Sequence, residues 1–132
     1  MGDGSHRSTE ILVIDDDRIM RDLVADWLEG AGYAVQKASD CRAASAELER
    51  APALVVCDMW MPGRCGTEAI RWIRQKHPEL QLIAMSGHFG SGQGCTEQDA
   101  VAAGAARALA KPVKRAQLLG AVADLIGPPP GK

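Results

Sequence analysis

An excess of basic residues is missing from this chain: Lys and Arg number 15 against 17 Asp and Glu, for a formal net charge of −2. Surfaces that neutralise a phosphodiester backbone carry clustered cations, so direct nucleic-acid binding is not expected. Long apolar runs are missing too. Nothing approaches the ~18 residues needed to cross a bilayer, because the alanine-rich stretch from Ala100 to Ala110 is broken by Gly104 and Arg107. Met1 to Ser8 is polar and holds no apolar segment, which does not read as a secretory leader. A disordered tail over residues 1–9 and a cytoplasmic location are expected. Cys41, Cys57, Cys65 and Cys95 show no CxxC spacing and no accompanying pair of histidines. That argues against a zinc site and for reduced thiols, with Cys57 filling a buried strand position; two disulfides are the alternative. No GxGxxG follows the first apolar run and no GK[ST] occurs, so the glycines at 87, 90, 92 and 94 are not read as a nucleotide loop.

What is present is a β-α rhythm. With 46 % apolar residues in 132 positions, the chain suits one domain with a real core. Short apolar runs alternate five times with stretches of helical periodicity. The first helix is expected near Asp17, with Ile19, Met20, Leu23, Val24, Trp27 and Leu28 on one face and Gly30 to Gly32 as its stop. A strand at Tyr33 to Lys37 precedes a helix capped by Asp40 and ended by Pro52. Pro62-Gly63 marks a turn before a helix carrying Ala69, Ile70, Trp72 and Ile73, and Pro78 closes that helix. Strand four, Leu80 to Met85, leads into the glycine-rich loop and a short helix ending near Gly104. A last helix, about Lys114 to Ile126, precedes Pro128-Pro129-Pro130. The strands do not alternate in polarity and each crossover can hold a helix, so the expected fold is a five-stranded, doubly wound parallel α/β sheet with helices on both faces. The domain should span residues 10–127, with a Pro/Gly-rich tail at 128–132.

The chemistry gathers where the apolar runs stop. Ile11-Leu12-Val13-Ile14 runs into Asp15-Asp16-Asp17, and Leu54-Val55-Val56-Cys57 into Asp58. Leu82-Ile83-Ala84-Met85 runs into Ser86, and Ala108-Leu109-Ala110 into Lys111-Pro112. In a parallel sheet these ends share the edge where open α/β sheets bind their ligands. An ionised Asp58 there can attack phosphorus and form an acyl phosphate. Asp15 and Asp16 add negative charge that calls for a cation, and hard oxygen donors with room for water suit Mg²⁺. Asp17 is accounted for more simply, as a helix N-cap. Lys111 is either an ordinary surface lysine or, were its bond to Pro112 cis rather than the favoured trans, an ammonium aimed over the edge that can neutralise phosphoryl oxygens during transfer. Ser86 can donate a hydrogen bond to the same group, or simply begin the loop.

The stretches ILVIDDD, VVCDMWMPGRCG, MSG and GAARALAKP, in this order and spacing, resemble the receiver domain of two-component response regulators. The resemblance covers roughly Glu10 to Gly127 and implies a flavodoxin-like sheet of order 2-1-3-4-5. It implies that Asp58 is the phosphoacceptor and that Asp15, Asp16 and Asp58 hold Mg²⁺ together with the backbone carbonyl of Trp60. Ser86 and Lys111 would contact the phosphoryl group. The donor would be a phosphohistidine on a sensor histidine kinase or a histidine phosphotransfer protein, and the output a protein–protein contact rather than enzymatic turnover. The chain would be a stand-alone regulator or the receiver of a hybrid kinase.

Three positions modulate that expectation. Ala108 stands where the family usually has an aromatic that turns inward, so readout would fall to Ser86 and the glycine-rich loop. Trp60, two residues past Asp58, is expected to restrict water and prolong the phosphorylated state. His88, two past Ser86, either orients water or is a solvated loop residue. Two other functions compete: an interaction module that no longer responds to phosphate, favoured by Ala108, and an aspartyl-phosphate phosphohydrolase. The latter commonly has a second acid where Trp60 stands.

Overall fold

The computed structural model describes residues 10–40, 42–59, 66–87 and 97–129. Five strands, β1 (Glu10–Ile14), β2 (Ala34–Ala38), β3 (Leu54–Asp58), β4 (Gln81–Ser86) and β5 (Arg107–Ala110), form one sheet of order β2-β1-β3-β4-β5. Every neighbouring pair is parallel. Parallel neighbours need long crossovers. These are the helices α1 (Arg18–Ala31), α2 (Ser45–Glu49), α3 (Gly66–Lys76) and α4 (Glu97–Ala103), and α5 (Arg115–Ile126) closes the domain.

The unbroken apolar strands follow from having two faces to fill. Successive side chains point to opposite sides of a strand. Ile11 and Val13 of β1 join Val24 and Leu28 of α1 and Leu118 and Val122 of α5 in one core cluster. Leu12 and Ile14 join Leu48 of α2, Ile70 and Ile73 of α3, and Ala100 and Ala103 of α4 in the other. The expected doubly wound architecture is the one observed.

The differences from expectation are local. Ile19 and Leu23 do not belong to the buried face of α1: they are 81 % and 40 % exposed. The stripe that meets the sheet runs through Met20, Val24, Trp27, Leu28 and Ala31. Ile19 and Leu23 each precede a member of it by one residue, a rotation of about 100° around the helix axis. Helix α1 does end within the expected Gly30 to Gly32 stop, at Gly32, whose φ of 114° no side-chain-bearing residue adopts readily. The second helix is shorter than its pattern suggests. Asp40 caps a turn, accepting the Ala43 N–H at 2.7 Å, but the regular helix begins at Ser45 and ends at Glu49, ahead of Pro52. Elsewhere the bounds shift by a residue, with β2 starting at Ala34, β4 at Gln81 and α5 at Arg115.

Cys57 fills a buried position in β3, as expected, and its Sγ donates to the Asp58 carbonyl at 3.4 Å. Cys41, Cys65, Cys95, Pro62-Gly63, residues 1–9 and the glycines at 90, 92 and 94 lie outside the described residues. Among the described residues no helix is long and apolar enough to cross a membrane.

Candidate functional site at the carboxyl edge of the sheet

The site is built from four strand ends. Asp15 directly follows β1 and is fully buried, while its neighbour Asp16 is exposed. Asp58 is the last residue of β3 and Ser86 the last of β4, each 4 % exposed. Lys111 directly follows β5, and its bond to Pro112 is cis. Register brings these ends level. Asp58 pairs with Met85 across β3 and β4, and Ser86 with Ala110 across β4 and β5. The Lys111 N–H donates to the Ser86 carbonyl at 2.9 Å, so the two residues leave the sheet side by side.

Carboxylate oxygens of Asp15, Asp16 and Asp58 all lie within 4.8 Å of one another. The Lys111 Nζ stands 3.3 Å from Asp15 Oδ2 and 3.4 Å from Asp58 Oδ1. One ammonium therefore bridges two buried acids and offsets one of the three negative charges packed there. Buried charge is costly unless compensated. A small set of hard oxygen donors with excess negative charge, open to water on the Asp16 side, is the chemistry that suits Mg²⁺. The residues present fit such an ion.

The Asp15–Asp17 turn is locked from several directions. Asp15 N–H donates to the Ala38 carbonyl at 3.1 Å, tying the turn to β2. Asp15 Oδ1 accepts the Asp17 N–H at 2.9 Å, which leaves Oδ2 for the site. Asp17 Oδ1 accepts from the N–H groups of Ile19 and Met20 at 3.0 and 3.3 Å, the N-cap role expected of it. Arg21 then reaches back from α1, its Nη1 donating to the Asp15 carbonyl at 2.9 Å. Sequence reasoning passed over Arg21. The available signal was its place four residues after the capping Asp17, one helical turn on and on the same side of the helix.

Asp15, Asp16, Asp58 and Lys111 thus converge, and Ser86 is adjacent through the backbone of Lys111. Ala108 is partly buried on β5 and packs against the α2–α4 core cluster, across from Ala84. Trp60 and His88 lie outside the described residues.

Residues 11–123 match the response regulator receiver domain family. The chain belongs to that family. It is 38 % identical over 82 residues to the nitrogen assimilation regulatory protein NtrX of Azorhizobium caulinodans, a match covering 60 % of this chain and 18 % of that protein. The chain therefore corresponds to under a fifth of that regulator's length. The receiver domain of NtrX from Brucella abortus superposes with a TM-score of 0.79 at 36 % identity, covering 87 % of this chain and 96 % of that one. A response regulator from Burkholderia pseudomallei, 26 % identical with a TM-score of 0.74 over 86 % of this chain and 65 % of its own, was solved with a phosphorylated aspartic acid, a calcium ion and citrate. The fold, with its 2-1-3-4-5 sheet, and membership among the receivers of two-component signalling are thereby established.

Proposed function

We propose that Asp58 is the phosphoacceptor of this receiver, that Asp15, Asp16 and Asp58 hold Mg²⁺ with the Trp60 carbonyl, and that Ser86 and Lys111 contact the transferred group. The observation that carries this reading is the meeting of three carboxylates within 4.8 Å around a lysine ammonium. An Asp58 oxygen attacks the phosphorus of a phosphohistidine. The P–N bond breaks, the imidazole leaves and takes up a proton, and a mixed anhydride remains on Asp58. Lys111, already 3.4 Å from Asp58 Oδ1, is placed to exchange its carboxylate contact for a phosphoryl oxygen. Ser86 stands next to it at the end of β4. When bound, the divalent ion supplies charge neutralisation for the oxygens of the group in transfer. Return to the resting state is attack of water on phosphorus, releasing phosphate and the free carboxylate, so the chain performs its own acceptance and loss without acting on a separate substrate. The phosphorylated aspartic acid in the Burkholderia pseudomallei regulator supports this reading.

Donor and output follow from the same chemistry. A sensor histidine kinase or histidine phosphotransfer protein supplies the phosphoryl group, in the cytoplasm. A downstream protein reads the result, with the receiver spanning 10–127 as a stand-alone regulator or as part of a hybrid kinase. Ala108 favours one competing reading, a module that binds its partner regardless of phosphate, because a methyl group has no rotamers to switch. Incubation with acetyl phosphate and Mg²⁺ decides. Intact-mass spectrometry should show a single phosphate adduct, lost in Asp58→Asn and in chelator. No adduct on the unmodified protein would leave the inert module standing, and release of phosphate over many turnovers would indicate a phosphohydrolase.

A further inference from the structure

Asp15 is held by four hydrogen bonds: its N–H donates to the Ala38 carbonyl, and it accepts from the Asp17 N–H at Oδ1, from the Lys111 ammonium at Oδ2 and from Arg21 at its carbonyl. The last of these spans the turn from strand to helix. The Arg21 guanidinium comes back from the first turn of α1 to bond the Asp15 carbonyl. With the Asp15 N–H held by Ala38 and Oδ1 held by the Asp17 N–H, this bond fixes the peptide that joins Asp15 to Asp16. The direction of that peptide sets where the Asp16 side chain leaves the turn relative to Asp15 Oδ2. We propose that Arg21 is a positioning residue for the cation cradle, holding the Asp15 and Asp16 carboxylates at the separation a small divalent ion requires. This inference rests on the reading of Asp15, Asp16 and Asp58 as a Mg²⁺ site.

Arg21 also brings positive charge close to the acids, and the two effects oppose each other. If charge were its whole contribution, removing it would leave the cradle more negative and strengthen the binding of every divalent cation. If it sets geometry, removal weakens binding, and selectively. Mg²⁺ demands near-ideal octahedral geometry at short distances, whereas Ca²⁺ accepts six to eight oxygens in flexible arrangements. A loosened Asp15–Asp16 peptide should therefore cost Mg²⁺ more than Ca²⁺. Groups that orient a metal ligand typically contribute about tenfold or more in affinity.

The test is titration calorimetry of the whole chain with Mg²⁺ and, separately, with Ca²⁺, for the unmodified protein and Arg21→Gln. We expect Arg21→Gln to lose about tenfold in Mg²⁺ affinity and clearly less in Ca²⁺ affinity, so that the ratio of the two dissociation constants shifts toward Ca²⁺. An unchanged ratio, with both ions bound equally more weakly or both more tightly, overturns the inference. Should Arg21→Gln fail to fold by thermal melting, Arg21→Lys keeps the charge, shortens the reach and is read by the same ratio. Failure of the unmodified protein to bind Mg²⁺ would instead refute the underlying site, which separates the two outcomes.

Discussion

Helices α1 and α4 cover opposite faces of one sheet and are held there very differently. Over 14 residues α1 buries Val24, Ala25 and Leu28, with Met20, Trp27 and Ala31 packed at the margin. Asp17 caps its first turn. Helix α4 has seven residues and buries only Ala100 and Ala103, while its largest apolar side chain, Val101, is 51 % exposed. Apolar burial stabilises by roughly 25 cal/mol per Å², so two methyl groups anchor α4 far less firmly than the aliphatic and aromatic stripe anchors α1. Regions with few buried apolar contacts are those that open at low free-energy cost. The firm helix carries the acidic turn at its start. The loosely held one leads into β5, and so toward Lys111. The site therefore draws Asp15 and Asp16 from the turn that starts the firmly held helix, and Lys111 from the strand that follows the loosely held one.

Substitution of Leu28 is the most severe way to break that contrast. Leu28→Ala should cost about 2–5 kcal/mol, because the side chain is fully buried and the residual cavity adds to the lost transfer energy. Equilibrium urea unfolding checks it. A loss below about 1 kcal/mol, the centre of the range for all point mutants, would mean that α1 is no better anchored than α4.

The C-terminal end of α4 offers a sharper test, since backbone geometry does there what side chains do in α1. Gly104 has φ +131°, and a Cβ on it would stand 2.6 Å from Arg74 Cγ and 3.2 Å from Cδ and Nε. Arg74 crosses this glycine from α3 to donate to the Leu80 carbonyl. Gly104→Ala should cost about 1–3 kcal/mol through the unfavourable backbone. Part of that should be relieved when Arg74→Ala is combined with it, a non-additivity that thermal melts of the three variants would reveal. Strict additivity would show that the arginine yields freely and does not hold α4 in place.

Tyr33 gives the smallest and most specific effect, on the α1–α5 face. Its hydroxyl donates to the Gly127 carbonyl at 2.7 Å, joining the entry of β2 to the end of α5. Tyr33→Phe should cost about 1 kcal/mol at neutral pH. Burial raises the Tyr33 pKa above its ordinary 10.0. The folded state thus keeps a proton that the unfolded chain has released. The associated stability is complete below pH 10 and is lost as pH climbs through the folded-state value. The gap between the two proteins should therefore narrow above pH 10 in denaturant titrations. A constant gap would mean the phenol is not held neutral by its surroundings.

Much of the site was legible before any coordinates. Asp15, Asp16, Asp58, Ser86 and Lys111 each follow or end an apolar run, and a run is recognisable within half a dozen residues. Asp17 as a cap and Gly32 as a stop are equally short-range, because a cap satisfies backbone groups only two or three positions away. The facing of α1 was not legible in the same way. Ile19 and Leu23 are as apolar as Met20 and Val24, and hydrophobicity alone offers two overlapping stripes. Arg21 resembles any surface arginine until the Asp15 carbonyl is seen beside it. Asp40, Pro52 and the weak pattern between them suggested a longer α2 than packing supports, since among the described residues between them only Leu48 and the preceding Ala44 reach the core.

The order of elements, the two-sided burial of the sheet and the choice of candidate site residues were thus set by the linear sequence, because each rests on periodicity or on bonds between near neighbours. Which stripe of α1 turns inward, how Lys111 comes to bridge Asp15 and Asp58, and what Arg21 holds were decided only on folding. Those depend on strand register and helix rotation, which bring together groups as far as 96 positions apart and are settled by the packing of the whole core.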